Sequence, residues 1–191
     1  MNKRITLIRH GKTAGNLEKR YIGITDEPLC SEGIEEIKKR NYPKADLVFS
    51  SPLIRCQTTA HLIYPKQEVL SIDSLRETDF GLFEGKNYSE LSDNPEYQKW
   101  IDSGGEAAFP GGESRDSATK RTLEGFAEML RLSEEYECVS AVVHGGTIMA
   151  VLSHLFGGDY YSYHVENGEG YTFDLSHNGL CSGLCFRSFL G

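Results

Sequence analysis

A three-layer α/β/α sandwich is predicted, with a mostly parallel central sheet, helices on both faces and a small insertion over the active site. Three observations lead there. Short apolar or β-branched runs alternate with helix-length stretches, the order of a parallel sheet with crossover helices. Two such runs, residues 5–8 and 141–143, deliver Arg9-His10-Gly11 and His144-Gly145-Gly146. An aromatic-rich stretch, 85–112, interrupts the alternation once.

Taken in order, 5–8 reads as a strand, 31–40 as a helix and 46–49 as a short strand. A helix over 53–63 follows, started by Ser51-Pro52 with the proline at an N1-like position. Residues 68–72 suggest a third strand. Residues 114–136 suggest a long helix with Leu123, Phe126, Ala127 and Leu130 as its core-facing stripe. The strand 138–143 leads through a tight Gly145-Gly146 turn into a helix over 147–156. Two closing strands, 171–175 and 181–186, are joined by a turn at His177-Asn178-Gly179. The segment 186–191 either docks on the body or frays.

With 191 residues the chain fits a single domain, 1–191, carrying 85–112 as a lid-like insertion. In that insertion Pro95 is expected to form a loop, and Tyr88, Tyr97, Trp100 and Phe109 divide between anchoring it and facing a ligand. Tyr160, Tyr161 and Tyr163 are read as covering a helix end, with a subunit contact as the other option.

A net charge of -8 argues against nucleic-acid or acidic-membrane partners, so an anionic ligand has to meet a local positive pocket. The first apolar stretch is broken by Arg9 and does not read as a signal peptide, and no segment is long enough to span a bilayer. Five cysteines, an odd number, suggest reduced thiols and a cytoplasmic location. Cys181 and Cys185 lack the second half of a metal site and fit one face of a strand. No Walker loop or G-x-G-x-x-G occurs, and no cofactor or partner protein is implied.

Four junctions carry groups suited to phosphate chemistry: Arg9-His10-Gly11, Ser51 to Arg55, Leu75-Arg76-Glu77 and His144. Each alone has an ordinary structural explanation; together they supply a nucleophile, cations and an acid. The run Arg9-His10-Gly11-Lys12-Thr13-Ala14-Gly15-Asn16 resembles the R-H-G-x-[ST]-x-x-N motif of the histidine phosphatase superfamily, phosphoglycerate-mutase-like branch. The segment 50–60 resembles its S-S-x-x-x-R-x-x-x-T-A motif, 143–146 its second-histidine segment, and 75–85 its general-acid stretch.

The resemblance implies that His10 attacks phosphorus and forms a phosphohistidine. It implies that Arg9, Asn16, Arg55 and His144 bind the phosphoryl oxygens, and that Glu77 is the general acid, ahead of Asp79 and Glu84. No metal is needed in that scheme, and His61, His154, His164 and His177 are left structural. The run Glu77-Thr78-Asp79-Phe80-Gly81 is acidic where the mutases resemble E-R-x-Y-G, which favours water as the acceptor. The expected substrate is a small-molecule phosphomonoester, an α-ribazole-type or sugar phosphate, with Ile22, Gly23, Tyr88 and Trp100 as contacting residues. A mutase-type phosphotransferase and a non-catalytic phosphate-binding module are the alternatives.

Overall fold

The computed structural model describes residues 3–176 and 179–190. The first strand, β1 (Lys3–Arg9), pairs in parallel with β4 (Cys138–Val143), which pairs with β2 (Leu47–Ser50), which pairs with β3 (Val69–Ser71). On its other side β1 meets β5 (Gly170–Leu175) antiparallel, and β5 pairs with the edge strand β6 (Cys181–Arg187). The order is β3-β2-β4-β1-β5-β6.

Strand alternation sorts the core into two layers. Ile5, Leu7, Val139, Ala141, Val143 and Phe173 face α6 (Arg115–Leu132) and α7 (Gly145–Phe156), meeting Phe126, Met129, Ile148 and Leu152. Ile8, Val48 and Val142 face the other way, onto Cys56 and Ala60 of α3 (Ile54–Ile63). The helix α2 (Ser31–Lys39) packs beside α3. The chain thus leaves β1 toward one face and β4 toward the other. A crevice opens where their carboxyl ends diverge, and His10 and His144 stand there.

Several local expectations are corrected. The helix α3 starts at Ile54, so Pro52 precedes it rather than occupying N1. Its N-cap Leu53 offers no side chain, and the Ile54 N–H donates instead to Asp26 Oδ1 at 2.7 Å, a cap borrowed from a distant loop. Gly145 and Gly146 are the first turn of α7 itself. The buried face of α6 is Ala118, Thr122, Gly125, Phe126 and Met129, and Ala127 is exposed. The helix is rotated because Gly125 seats against Ser74 and Leu75, where a Cβ would lie 3.0 Å from either side chain.

The insertion holds two helices, α4 (Tyr88–Leu91) and α5 (Pro95–Asp102). Pro95 opens α5 at its first turn, behind an Asn94 cap, instead of making a loop. Phe83, Tyr97 and Phe109 are buried together, with Tyr21, Phe80 and Trp100 packed around them. The 186–190 segment docks: Phe189, at φ +57°, enters the α3-side core and packs against Tyr42, ring centroids 4.8 Å apart. Of the turn expected between β5 and β6, His177 and Asn178 lie outside the described residues. Among the described residues no helix is long and apolar enough to cross a membrane.

Candidate active site

His10 follows directly on β1 and is buried. Its Nδ1 lies 2.7 Å from the Gly11 carbonyl, an obligate acceptor, so Nδ1 carries the proton and donates it. The Nε2 lone pair is thereby left free. Burial first, then the charges of Arg55 and Arg9, hold the imidazole pKa well below its ordinary 6.5, so the ring is neutral. The Gly11 N–H donates to Thr59 Oγ1 at 3.0 Å, which ties the loop after β1 to α3.

His144 follows β4 and stands at the N-cap position of α7, its ring centroid 5.2 Å from that of His10 in an edge-on arrangement. Ser51 Oγ lies 2.7 Å from its Nε2, and Cys56 Sγ lies 3.5 Å from the same atom. Burial, and then Arg55, push its pKa down as well.

Both arginines are held by backbone carbonyls. Arg55, fully buried in the first turn of α3, donates from Nη1 to Thr25 O at 2.7 Å and from Nη2 to Gly23 O at 2.6 Å and Ile22 O at 3.3 Å. Arg9 Nη1 donates to Val165 O at 2.6 Å. Among the described residues neither Arg9 Nε nor Arg55 Nε has an acceptor, although both are buried. Two desolvated guanidinium donors beside a neutral imidazole suit a bound oxyanion. Asn16, in the short helix α1 (Ala14–Leu17), is fixed by a capping box, its Oδ1 accepting the Thr13 N–H at 3.1 Å, which leaves its Nδ2 as the group it can offer.

Glu77 approaches from the loop after β3. Its Oε1 accepts the Thr78 N–H at 2.9 Å and its Oε2 the Gly146 N–H at 3.3 Å, so the carboxylate caps the amino end of α7. The Glu77 backbone is clamped by Arg121, which donates to the carbonyls of Ser74, Arg76 and Glu77 and pairs with Glu113 at 2.7 Å. The two rival carboxylates are engaged elsewhere. Asp79 Oδ1 accepts the Gly81 N–H, and Glu84 accepts from the N–H groups of Gly23, Ile24 and Phe80 and from the Thr25 hydroxyl.

A cavity of about 180 Å³ adjoins Glu77, walled by Tyr21, Phe80, Trp100, Phe109 and Tyr160. Of the expected contact residues Trp100 lines it. Tyr88 does not: it is 68% exposed and meets the cluster only edge-on at Tyr97. Ile22 and Gly23 reach the site through their carbonyls on Arg55, and the Ile22 side chain packs on Gly15. Tyr160 and Tyr161 line the cavity rather than only covering a helix end, and Tyr160 donates to Gly146 O at 3.2 Å. Arg115 also borders it, 5.5 Å above the Tyr160 ring and paired with Glu106 at 2.7 Å. Sequence reasoning missed Arg115, Arg121 and Asn167; none falls in a motif, and only tertiary contact reveals them. A wider groove at the opposite end of the sheet, about 890 Å³ between Lys3, Arg131 and Glu134, holds none of the candidate residues.

Two neutral buried histidines tie stability to pH. Their folded pKa values lie below the unfolded 6.5, so as pH falls through that value the unfolded chain takes up protons that the folded one refuses. Stability is therefore lost on acidification, by up to about 1.4 kcal/mol per pH unit for each histidine. Urea unfolding at pH 7.5 and 5.5 is expected to give the lower midpoint at 5.5, and His144→Gln should flatten the dependence.

Known proteins resemble this chain over most of its length. The E. coli (strain K12) adenosylcobalamin/alpha-ribazole phosphatase is 30% identical over 162 residues, covering 81% of this chain and 79% of that protein. A 2,3-bisphosphoglycerate-dependent phosphoglycerate mutase of Gloeobacter violaceus is 32% identical over 167 residues, 79% of this chain and 74% of that one. The crystal structure of a putative alpha-ribazole-5'-P phosphatase from Escherichia coli superposes with a TM-score of 0.86 at 26% identity, covering 97% and 95% of the two chains. The model of the histidine phosphatase superfamily (branch 1) matches residues 5–180, and the chain belongs to that family, as an enzyme of its phosphatase type.

Proposed function

We propose that the protein hydrolyses a small phosphomonoester through a phosphohistidine on His10, without a metal ion. The observation that carries this reading is the buried, neutral His10, with Nδ1 tied to Gly11 and Nε2 free beside two guanidinium groups. The Nε2 lone pair attacks phosphorus as the ester P–O bond breaks, and Glu77, entering this step as the carboxylic acid, gives its proton to the departing oxygen and becomes the carboxylate. Water then attacks the phosphohistidine, Glu77 takes its proton, and the P–N bond breaks to return His10 and inorganic phosphate. Arg9 and Arg55, through Nε, and Asn16 and His144 bind the phosphoryl oxygens, where the amino end of α7 adds positive potential. These groups supply the charge that a metal supplies in other phosphatases.

The aromatic cavity beside Glu77 receives the leaving group, which favours a ring-bearing alcohol such as the ribazole or cyclic-sugar class, with residues 85–112 as its cover. Arg115, the cation at that cavity, is already paired with Glu106. A second anionic substrate group, as a glycerate phosphate brings, is therefore poorly met, and water is the preferred acceptor. The free cysteines among the described residues fit a reducing, cytoplasmic setting.

Phosphate release from a monoester panel in excess EDTA tests the reaction; release that stops with the chelator would overturn its metal independence. A second expected outcome concerns Gly146. A Cβ there would lie 2.4 Å from Glu77 Oε1, so Gly146→Ala displaces the carboxylate while asking only a flexible side chain to move. Turnover of alkyl phosphates should fall by roughly tenfold and that of aryl phosphates less, while the about 1 kcal/mol that alanine gains over glycine in a helix offsets the lost cap bond in the thermal midpoint.

A further inference from the structure

Asn167 sits on the loop before β5, buried, in no motif. Its Nδ2 donates to the His10 carbonyl at 3.0 Å and to Asn16 Oδ1 at 3.1 Å. Both amide orientations are fixed by groups of one polarity: the His10 carbonyl can only accept, and the Thr13 N–H at Asn16 Oδ1 can only donate. Neither acceptor needs Asn167 to be satisfied. The His10 carbonyl already accepts the Gly168 N–H at 3.2 Å, and Asn16 Oδ1 already accepts from Thr13. What the two added bonds supply is geometry. They join the backbone of the residue with the free Nε2 to the carboxamide whose Nδ2 is left over. The same loop holds Arg9 through Val165 O, and the Gly168 N–H also donates to Arg9 O at 3.0 Å.

We propose that Asn167 is a positioning residue for phosphoryl binding: it holds the Asn16 carboxamide with Nδ2 toward the phosphoryl group and in register with His10. This rests on the reading of Asn16 as a phosphoryl donor. Without Asn167 the Asn16 carboxamide keeps one tether instead of two, so the donor is presented only part of the time.

The test is a double-mutant cycle read by calorimetric binding of orthovanadate and by kcat and KM, with thermal midpoints recorded for every variant. Asn167→Ala is expected to weaken vanadate about five- to tenfold and to raise KM more than it lowers kcat. In the Asn16→Ala background the same change should cost less than about twofold, because contacting residues couple. Asn167→Asp, which keeps the size but cannot donate, repeats the cycle if the alanine variant fails to fold. An equal loss in both backgrounds, or no loss in the single variant, overturns the positioning role and leaves the phosphohistidine reading standing. Asn16→Ala binding vanadate as tightly as the unaltered protein removes Asn16 as a donor and the proposal with it. No vanadate binding by the unaltered protein sinks the phosphoryl-site reading itself.

Discussion

His10→Ala is expected to remove phosphate release by about 10³-fold or more on every monoester, alkyl or aryl, while the protein still binds orthovanadate. The reason lies in what is lost and what stays. The covalent route needs one lone pair on Nε2, and no neighbour can replace it: the Nε2 of His144 faces Ser51 Oγ at 2.7 Å and Cys56 Sγ at 3.5 Å. The guanidinium groups of Arg9 and Arg55, proposed to hold the anion, are anchored by Val165, Thr25 and Gly23 and do not depend on the imidazole. The measurements are steady-state phosphate release and acid-quenched trapping of the phosphoryl enzyme, which should carry an acid-labile phosphate in the unaltered protein and none in the variant. Full turnover by the variant would end the nucleophile assignment. Loss of turnover together with loss of vanadate binding would mean a collapsed site rather than a missing lone pair.

Glu77→Gln carries the second large effect, and its signature is selectivity among leaving groups. Alkyl phosphates should slow by about 10²- to 10⁴-fold, the usual worth of a general acid, whereas a nitrophenyl ester, whose leaving oxygen needs no proton, should slow far less. Glutamine has one acceptor oxygen where Glu77 uses two, so either Thr78 N–H or Gly146 N–H loses its partner. That adds a stability cost of about 1 kcal/mol, visible in the unfolding midpoint but independent of the leaving group. The contrast with Glu84 is informative. Its carboxylate is spent on three N–H groups and a hydroxyl, so Glu84→Gln should lower stability and slow all esters alike. A Glu77 variant that slowed alkyl and aryl esters equally would remove Glu77 as the proton donor.

The strands and the residues at their carboxyl ends were legible because each is written locally. An apolar run that stops on Arg9-His10-Gly11 or on His144 announces both a strand and what it delivers. The motif segments placed Arg55 and Glu77 at the crevice for the same reason. What stayed hidden depends on contacts between distant segments. Asp26 capping Ile54, Glu77 capping Gly146 and Arg121 clamping three carbonyls around Glu77 each join parts of the chain that no periodicity connects. Apolar spacing puts Leu123, Phe126, Ala127 and Leu130 on the core face of α6; Phe126 and Leu130 do meet the core, whereas Gly125 turns Ala127 outward. Its missing side chain lets the turn over Asp73–Leu75 come close, and that approach sets the rotation of the helix. Aromatic content suggests Tyr88 as a substrate contact but says nothing about direction, and its side chain is exposed.

The docked C-terminal segment bears on the order in which the enzyme is made. Asn41 N–H donates to the Phe189 carbonyl at 2.7 Å, and Arg40 reaches both the Ser188 carbonyl and, at 3.4 Å, the Asn167 carbonyl. The tail therefore meets, through one guanidinium, the loop that carries Asn167. Without the segment around Phe189, Arg40 loses the Ser188 carbonyl and keeps the Asn167 carbonyl and Glu169, 3.9 Å away. Elements whose partners lie far along the chain close slowly. The junction of residues 40, 167 and 188 therefore forms among the late contacts of folding, and the bracing of Asn167 arrives with it.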